Sequence, residues 1–180
     1  MSAMRWSGLA LLACCCALAQ SSAPPGAGPA ASELKTIVVP PLGFWGPHVP
    51  FPKIKNMKTL RITLTRSACF GRCPAYTVEV RGDGTVRFSG LGGVRAPGDH
   101  DGHISQEAVA ELLAAFRRAD FFSLSDYLGL GRDASVYTVS IEFDGRKKSE
   151  EHSGVPGLAP AVVTDLEDAI DRLAGAGKWI

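Results

Sequence analysis

Apolar and polar residues alternate strictly along Leu60-Arg61-Ile62-Thr63-Leu64-Thr65-Arg66, which predicts a strand with one buried face. Tyr76-Thr77-Val78-Glu79-Val80 alternates in the same way; Asp83-Gly84 then supplies a hairpin turn, and Val86-Arg87-Phe88 returns as the partner strand. After a Gly-rich loop the period lengthens. Ser105 is placed to cap a helix that buries Val109, Leu112, Leu113 and Phe116, and Phe121, Phe122, Leu124 and Tyr127 continue as an apolar cover for the core edge. The outline then repeats. Tyr137 to Phe143 is a strand, Asp144-Gly145 a turn, and Arg146 to His152 a polar returning strand. A second helix from about Pro160 to Leu173 buries Val163, Leu166, Ile170 and Leu173, and Gly175 is placed to end it. Tyr-Thr-Val precedes Asp-Gly at the same spacing in both halves, as two copies of one hairpin-plus-helix unit would give. The expected fold is α+β, an antiparallel sheet covered on one face by two helices, in a single domain over residues 59–180.

Ahead of this domain the pattern changes twice. Residues 1–20 read as an export signal, with Arg5 ahead of the apolar run Leu9 to Leu18, a run too short to span a bilayer as a permanent helix. Ala17-Leu18-Ala19 fits ordinary signal cleavage and a soluble product, whereas Leu11-Leu12-Ala13-Cys14 resembles a lipobox in which Cys14 carries a lipid anchor. Residues 21–58, rich in Pro, Gly and Ala, read as a tether. A pure spacer has no use for Phe44, Trp45 and Phe51, which either dock on the domain, the favoured reading, or form a short recognition segment. The expected location is the periplasm or an outer-membrane lipoprotein, or alternatively outside the cell.

Of the five cysteines, Cys14, Cys15 and Cys16 lie in the signal, leaving Cys69 and Cys73 in the domain. The spacing admits a disulfide, a redox couple or a metal site. An oxidising compartment makes the disulfide the default. Residues four apart in an extended strand lie roughly 13 Å apart, beyond the limit of about 7 Å for bonded cysteines, so Phe70-Gly71-Arg72 must turn. Gly71 is the residue expected to permit the turn and Pro74 to fix the exit. A redox role needs a low thiol pKa, which Arg66 and Arg72 would favour. A Cys-x-x-x-Cys-Pro element also occurs in copper-delivery proteins of the thioredoxin fold, but the thioredoxin pattern of parallel strands and helices is missing here. For a copper or zinc site the remaining ligand candidates are His100 and His103, in the polar loop Asp99-His100-Asp101-Gly102-His103.

Elsewhere the chemistry is thin. No nucleophile elbow, Walker loop or His-Glu-x-x-His pattern is present. Gly90-Leu91-Gly92-Gly93 reads as a flexible loop, and Asp126, Asp133 and Glu142 as solvated carboxylates. With 19 Lys and Arg against 18 Asp and Glu, the run Arg146-Lys147-Lys148 reads as a solvated face and argues against nucleic acid. Tyr76 and Tyr137 read as packing a core edge.

Three features together resemble an uncharacterised bacterial family, the domain of unknown function 6438. They are an alternating strand leading into Cys69-Phe70-Gly71-x-Cys73-Pro74-x-Tyr76, the hairpin with Asp83-Gly84, and the string from Phe116 through Phe121-Phe122 to Tyr127 and Asp133 before the second hairpin. The resemblance covers roughly Leu60 to Ile180 and implies one exported or lipid-anchored envelope domain, with no activity to carry over. The function expected is noncatalytic binding of another protein or an envelope component, without a cofactor, and with membrane contact only through a lipid anchor. The alternatives are a thiol redox protein and a copper or zinc carrier.

Overall fold

The computed structural model describes residues 43–126 and 133–180. The signal segment, the lipobox at Cys14, the first part of the tether and Tyr127 lie outside the described residues. Six strands, β1 (Arg61–Arg66), β2 (Ala75–Arg81), β3 (Thr85–Gly92), β4 (Gly98–His103), β5 (Val136–Phe143) and β6 (Arg146–Ser153), form one antiparallel sheet in the order β4-β3-β2-β1-β5-β6. Helices α1 (Gln106–Arg118) and α2 (Ala161–Ala174) pack on one face. The fold is α+β, as the alternation predicts.

Strand β1 sits at the centre because both of its neighbours cover it. Its inward residues Ile62 and Leu64 are fully buried, among Val78, Val80, Val139 and Ile141 of β2 and β5 and Leu112, Phe116, Leu166 and Ile170 of the helices. The opposite sheet face stays polar, with Thr65 hydrogen-bonded to Thr77 at 3.2 Å, as an antiparallel sheet solvated on one side allows. The Ser105 side chain caps α1 by accepting from the Ala108 N–H at 3.2 Å. Gly175 ends α2 in the left-handed conformation, φ 66°.

The repeated Tyr-Thr-Val strings take symmetrical places. Arg66 pairs in register with Tyr76 on one side and Tyr137 on the other, so the two hairpins flank β1 and set their tyrosines around a single arginine. The second turn does more than reverse the chain. Asp144, at φ 50°, accepts hydrogen bonds from the backbone N–H groups of Lys55 and Asn56, and so fixes the chain segment entering β1.

Two stretches differ from the sequence expectation. Residues 98–103 form an edge strand, and β3 runs on through Gly92, where a flexible loop was expected. The inward positions of β4 are Gly98, His100 and Gly102, opposite Gly90, Phe88 and Val86. No apolar alternation marks this strand because Trp179 supplies the cover. Its ring stacks on Phe88 and His100, 5.2 and 5.8 Å between centroids, and a Cβ on Gly102 would come within 3.2 Å of it. The C-terminus is held there by backbone bonds from Arg95 to Ile180 and Ala96 to Trp179.

The expected tether, likewise, is packed in its last part. Phe51 meets Phe122 edge-on at 5.2 Å and stacks on Phe143 at 6.0 Å, while Trp45 bridges to Leu124. Residues 43–58 therefore belong to the folded body, by the docking of aromatics that the composition favours. Lys148 departs from the solvated basic face as well, since its ammonium turns in to the carbonyl of Leu124 and the carboxylate of Asp126.

Candidate functional site

One end of the sheet gathers the residues that the cysteine motif singles out. Cys69 and Cys73 are joined by a disulfide with their Cα atoms 5.6 Å apart, and the Gly71 N–H donates to the carbonyl of Cys69 at 2.9 Å to close the loop. Gly71 does not take a positive φ, and a Cβ there would meet Cys69 Sγ at an ordinary 3.6 Å. Its expected role as the residue permitting the turn is not what the geometry uses. The glycine the site requires is Gly93. It lies at φ 62°, and a Cβ there would come 2.7 Å from the carbonyl oxygen of Cys73, so the end of β3 can press against the bridged loop only if this residue is glycine. Sequence reasoning missed Gly93, although the double glycine after Leu91 was the available signal. Pro74 leads into β2, whose register shifts between Ala75 and Tyr76.

Between the loop and the end of β3 lies a cleft of about 690 Å³, lined by residues including Arg66, Ser67, Arg72, Cys73, Leu91 and Gly93. Two large apolar side chains stand in solvent beside it, Phe70 at 94% exposure and Leu91 at 72%. Arg72 is exposed and has no ion pair among the described residues. No carboxylate of the described residues lines the cleft.

Behind the cleft a second constellation runs under α2. The Arg66 guanidinium leans over the Tyr137 ring, 4.4 Å from its centroid, and donates to Asp171 Oδ2 at 2.9 Å. The Tyr76 hydroxyl donates to the same oxygen at 2.6 Å. Further in, His152 Nδ1 is 2.8 Å from Glu150 Oε1, and Nε2 is 3.3 Å from Glu167 Oε1. Glu150, His152 and Glu167 are 0%, 1% and 2% exposed. Gly154 lets Tyr137 lie in place, since a Cβ there would be 2.7 Å from its ring.

Burial governs the protonation of these groups. It pushes the Glu167 carboxyl up to about 7, against the lowering effect of His152 and Arg66. It raises Asp171 as well, despite the hydrogen bonds from Tyr76 and Arg66. For His152 burial opposes the charge, but the hydrogen bond and negative charge of Glu150, with Glu167 behind, outweigh it and raise the pKa. Burial and the neighbouring Asp171 push the Tyr76 phenol up. The buried side-chain atoms left without a hydrogen-bond partner among the described residues, Arg66 Nε, Glu150 Oε2, Glu167 Oε1 and Asp171 Oδ1, all belong to this cluster. Sealed from solvent at Glu150, His152 and Glu167, and reaching the surface through Arg66 and Asp171, it ties β6, β1 and β2 to α2.

The remaining sequence candidates are placed apart. His100 bonds the Pro97 carbonyl at 3.2 Å, and His103 lies against the turn at Gly84; both are on β4, away from any loop of their own. Among the described residues no group of three His, Cys, Asp or Glu side chains is arranged to hold a metal. Arg66, a candidate to favour a thiolate, has its guanidinium committed to Asp171. Tyr76 packs at the core edge as expected and adds the hydroxyl contact to Asp171. Among the described residues no helix is long and apolar enough to cross a membrane. A family model, Domain of unknown function (DUF6438), matches residues 60–174. No curated protein matches the chain.

Proposed function

Since the chain belongs to the DUF6438 family, described only as a domain of unknown function, we propose from its own surface that it is a noncatalytic binding module of the cell envelope. Its contact surface is the Cys69–Cys73 loop with the adjoining end of β3. The observation that carries this reading is Phe70, 94% exposed on a loop closed by a disulfide. A phenylalanine held in water forgoes roughly 1.5–3 kcal/mol of burial, and a short covalent loop limits the disorder that a partner must remove on binding. Apolar aromatic anchors beside a concave surface are what contact hot spots are built from. The leader-like residues 1–20 support export, and Cys14 supports a lipid anchor as one mode of retention.

The test is site-specific photo-crosslinking in the producing cell. A photoreactive phenylalanine analogue in place of Phe70 should give discrete adducts, and the same analogue in place of Lys147, on β6, should give none. Equal patterns at both positions, or no adduct at position 70, would sink the assignment of the surface.

A further inference from the structure

We infer that the segment bound at this surface is a peptide of a protein partner carrying a carboxylate next to an apolar side chain; this rests on the binding reading above and names what it binds. The argument starts from charge. Among the described residues the cleft is lined by Arg66 and Arg72 and by no acid. Arg66 is neutralised on its inner side by Asp171 at 2.9 Å, so Arg72 is the cation of the cleft that has no ion pair among the described residues. An exposed Arg beside an apolar cleft pairs best with a planar carboxylate, which it can bind through two parallel hydrogen bonds.

Shape supplies the second half. The cleft of about 690 Å³ is concave and has Leu91 and Cys73 in its lining, with Phe70 standing in solvent on the adjoining loop. This volume falls in the range of ligand-binding clefts. A bilayer surface is flat and would touch the protruding tips while leaving the concavity unfilled. A second copy of the chain is opposed by charge. A two-fold contact through this surface would bring the Arg72 residues of the two copies toward each other, with no carboxylate of either cleft between them. The sheet edges do not offer a competing mode, since β4 and β6 carry charged residues along their length. An extended or turned peptide with an acid set beside a Leu, Phe or similar side chain satisfies the cation and the cleft together.

The experiment pans a displayed library of random peptides on the immobilised full chain, then measures synthetic copies of the enriched peptides by fluorescence polarisation against wild type, Phe70→Ala, Arg72→Glu and Lys147→Glu. Asp or Glu next to an apolar residue should dominate the enriched set. Phe70→Ala should weaken binding about tenfold or more, Arg72→Glu should reverse the preference toward basic peptides, and Lys147→Glu should change neither. Circular dichroism melts of the three variants should match wild type, because all three side chains are exposed. Enriched peptides that depend on Phe70 but carry no acid would overturn the partner chemistry and leave the binding surface standing. Peptides indifferent to Phe70, or no enrichment at all, would overturn both. Vesicles of phosphatidylcholine with phosphatidylglycerol are sedimented in parallel, and Phe70-dependent capture by them without peptide enrichment would overturn the peptide in favour of a membrane.

Discussion

Glu167 carries a carboxyl raised to about 7 by burial, against an ordinary 4.5, and its neighbour His152 is raised above 6.5. Both groups hold their protons more tightly in the folded chain than in the unfolded one. The contribution of Glu167 is therefore complete below about pH 4.5 and is lost as pH rises to about 7; that of His152 is complete below 6.5 and is lost as pH rises through its higher folded value. For Glu167 alone the span from 4.5 to about 7 corresponds to about 3 kcal/mol as an upper bound. Urea unfolding followed from pH 5 to pH 8 should show falling stability, and Glu167→Gln, which cannot titrate, should flatten the slope. A stability that rises over this interval would contradict the assignment. At about pH 5 to 6, where folded His152 carries its charge, His152→Ala should cost about 3 kcal/mol or more, because it leaves Glu150 buried without its partner.

Elements with a complete apolar face were legible in the sequence, and those whose cover comes from elsewhere were not. Strands β1, β2 and β5 alternate because their inward side chains themselves fill the core, and both helices show the spacing of residues that meet the sheet. Strand β4 contributes Gly98, His100 and Gly102 to that face, and the apolar surface above it comes from Trp179, far along the chain. Strand β6 places Lys148, Glu150 and His152 inward, opposite Ile141, Val139 and Tyr137, so its pattern reads as polar although its second half is buried. The entering segment was half legible. Its prolines spoke for a tether and its aromatics for docking; the aromatics decide, because Phe51 lies between Phe122, Phe143 and the Arg117 guanidinium, which is 4.7 Å from its ring centroid. Phe51→Ala should accordingly cost about 2 kcal/mol, less than a fully enclosed phenylalanine. Chemical denaturation of the full chain measures it, and an unchanged midpoint would mean that the segment adds nothing to the fold.

At the scale of the whole molecule, the site and the core are physically separable. Neither cysteine belongs to the hydrophobic cluster, and the bridge closes a loop between residues only four apart in sequence. A cross-link this short limits few unfolded conformations, so the double substitution Cys69→Ser with Cys73→Ser should lower stability by only about 2 kcal/mol and leave the far-ultraviolet spectrum unchanged. Its effect on the surface should be larger in kind. Without the bridge Phe70 no longer sits on a closed loop against Gly93, and the ordering that the disulfide supplies must come from binding itself. The cysteine motif was the legible part of this site; the double glycine after Leu91 marked an unusual backbone, but the contact of Gly93 with Cys73 that gives it value is made across strands, beyond the reach of a local pattern. The double variant thus separates two roles of one bond. A binding loss much greater than the stability loss, measured on the same protein by polarisation and by urea unfolding, is the expected result. Equal losses would make the disulfide a staple of the fold and place the contact surface elsewhere on the sheet.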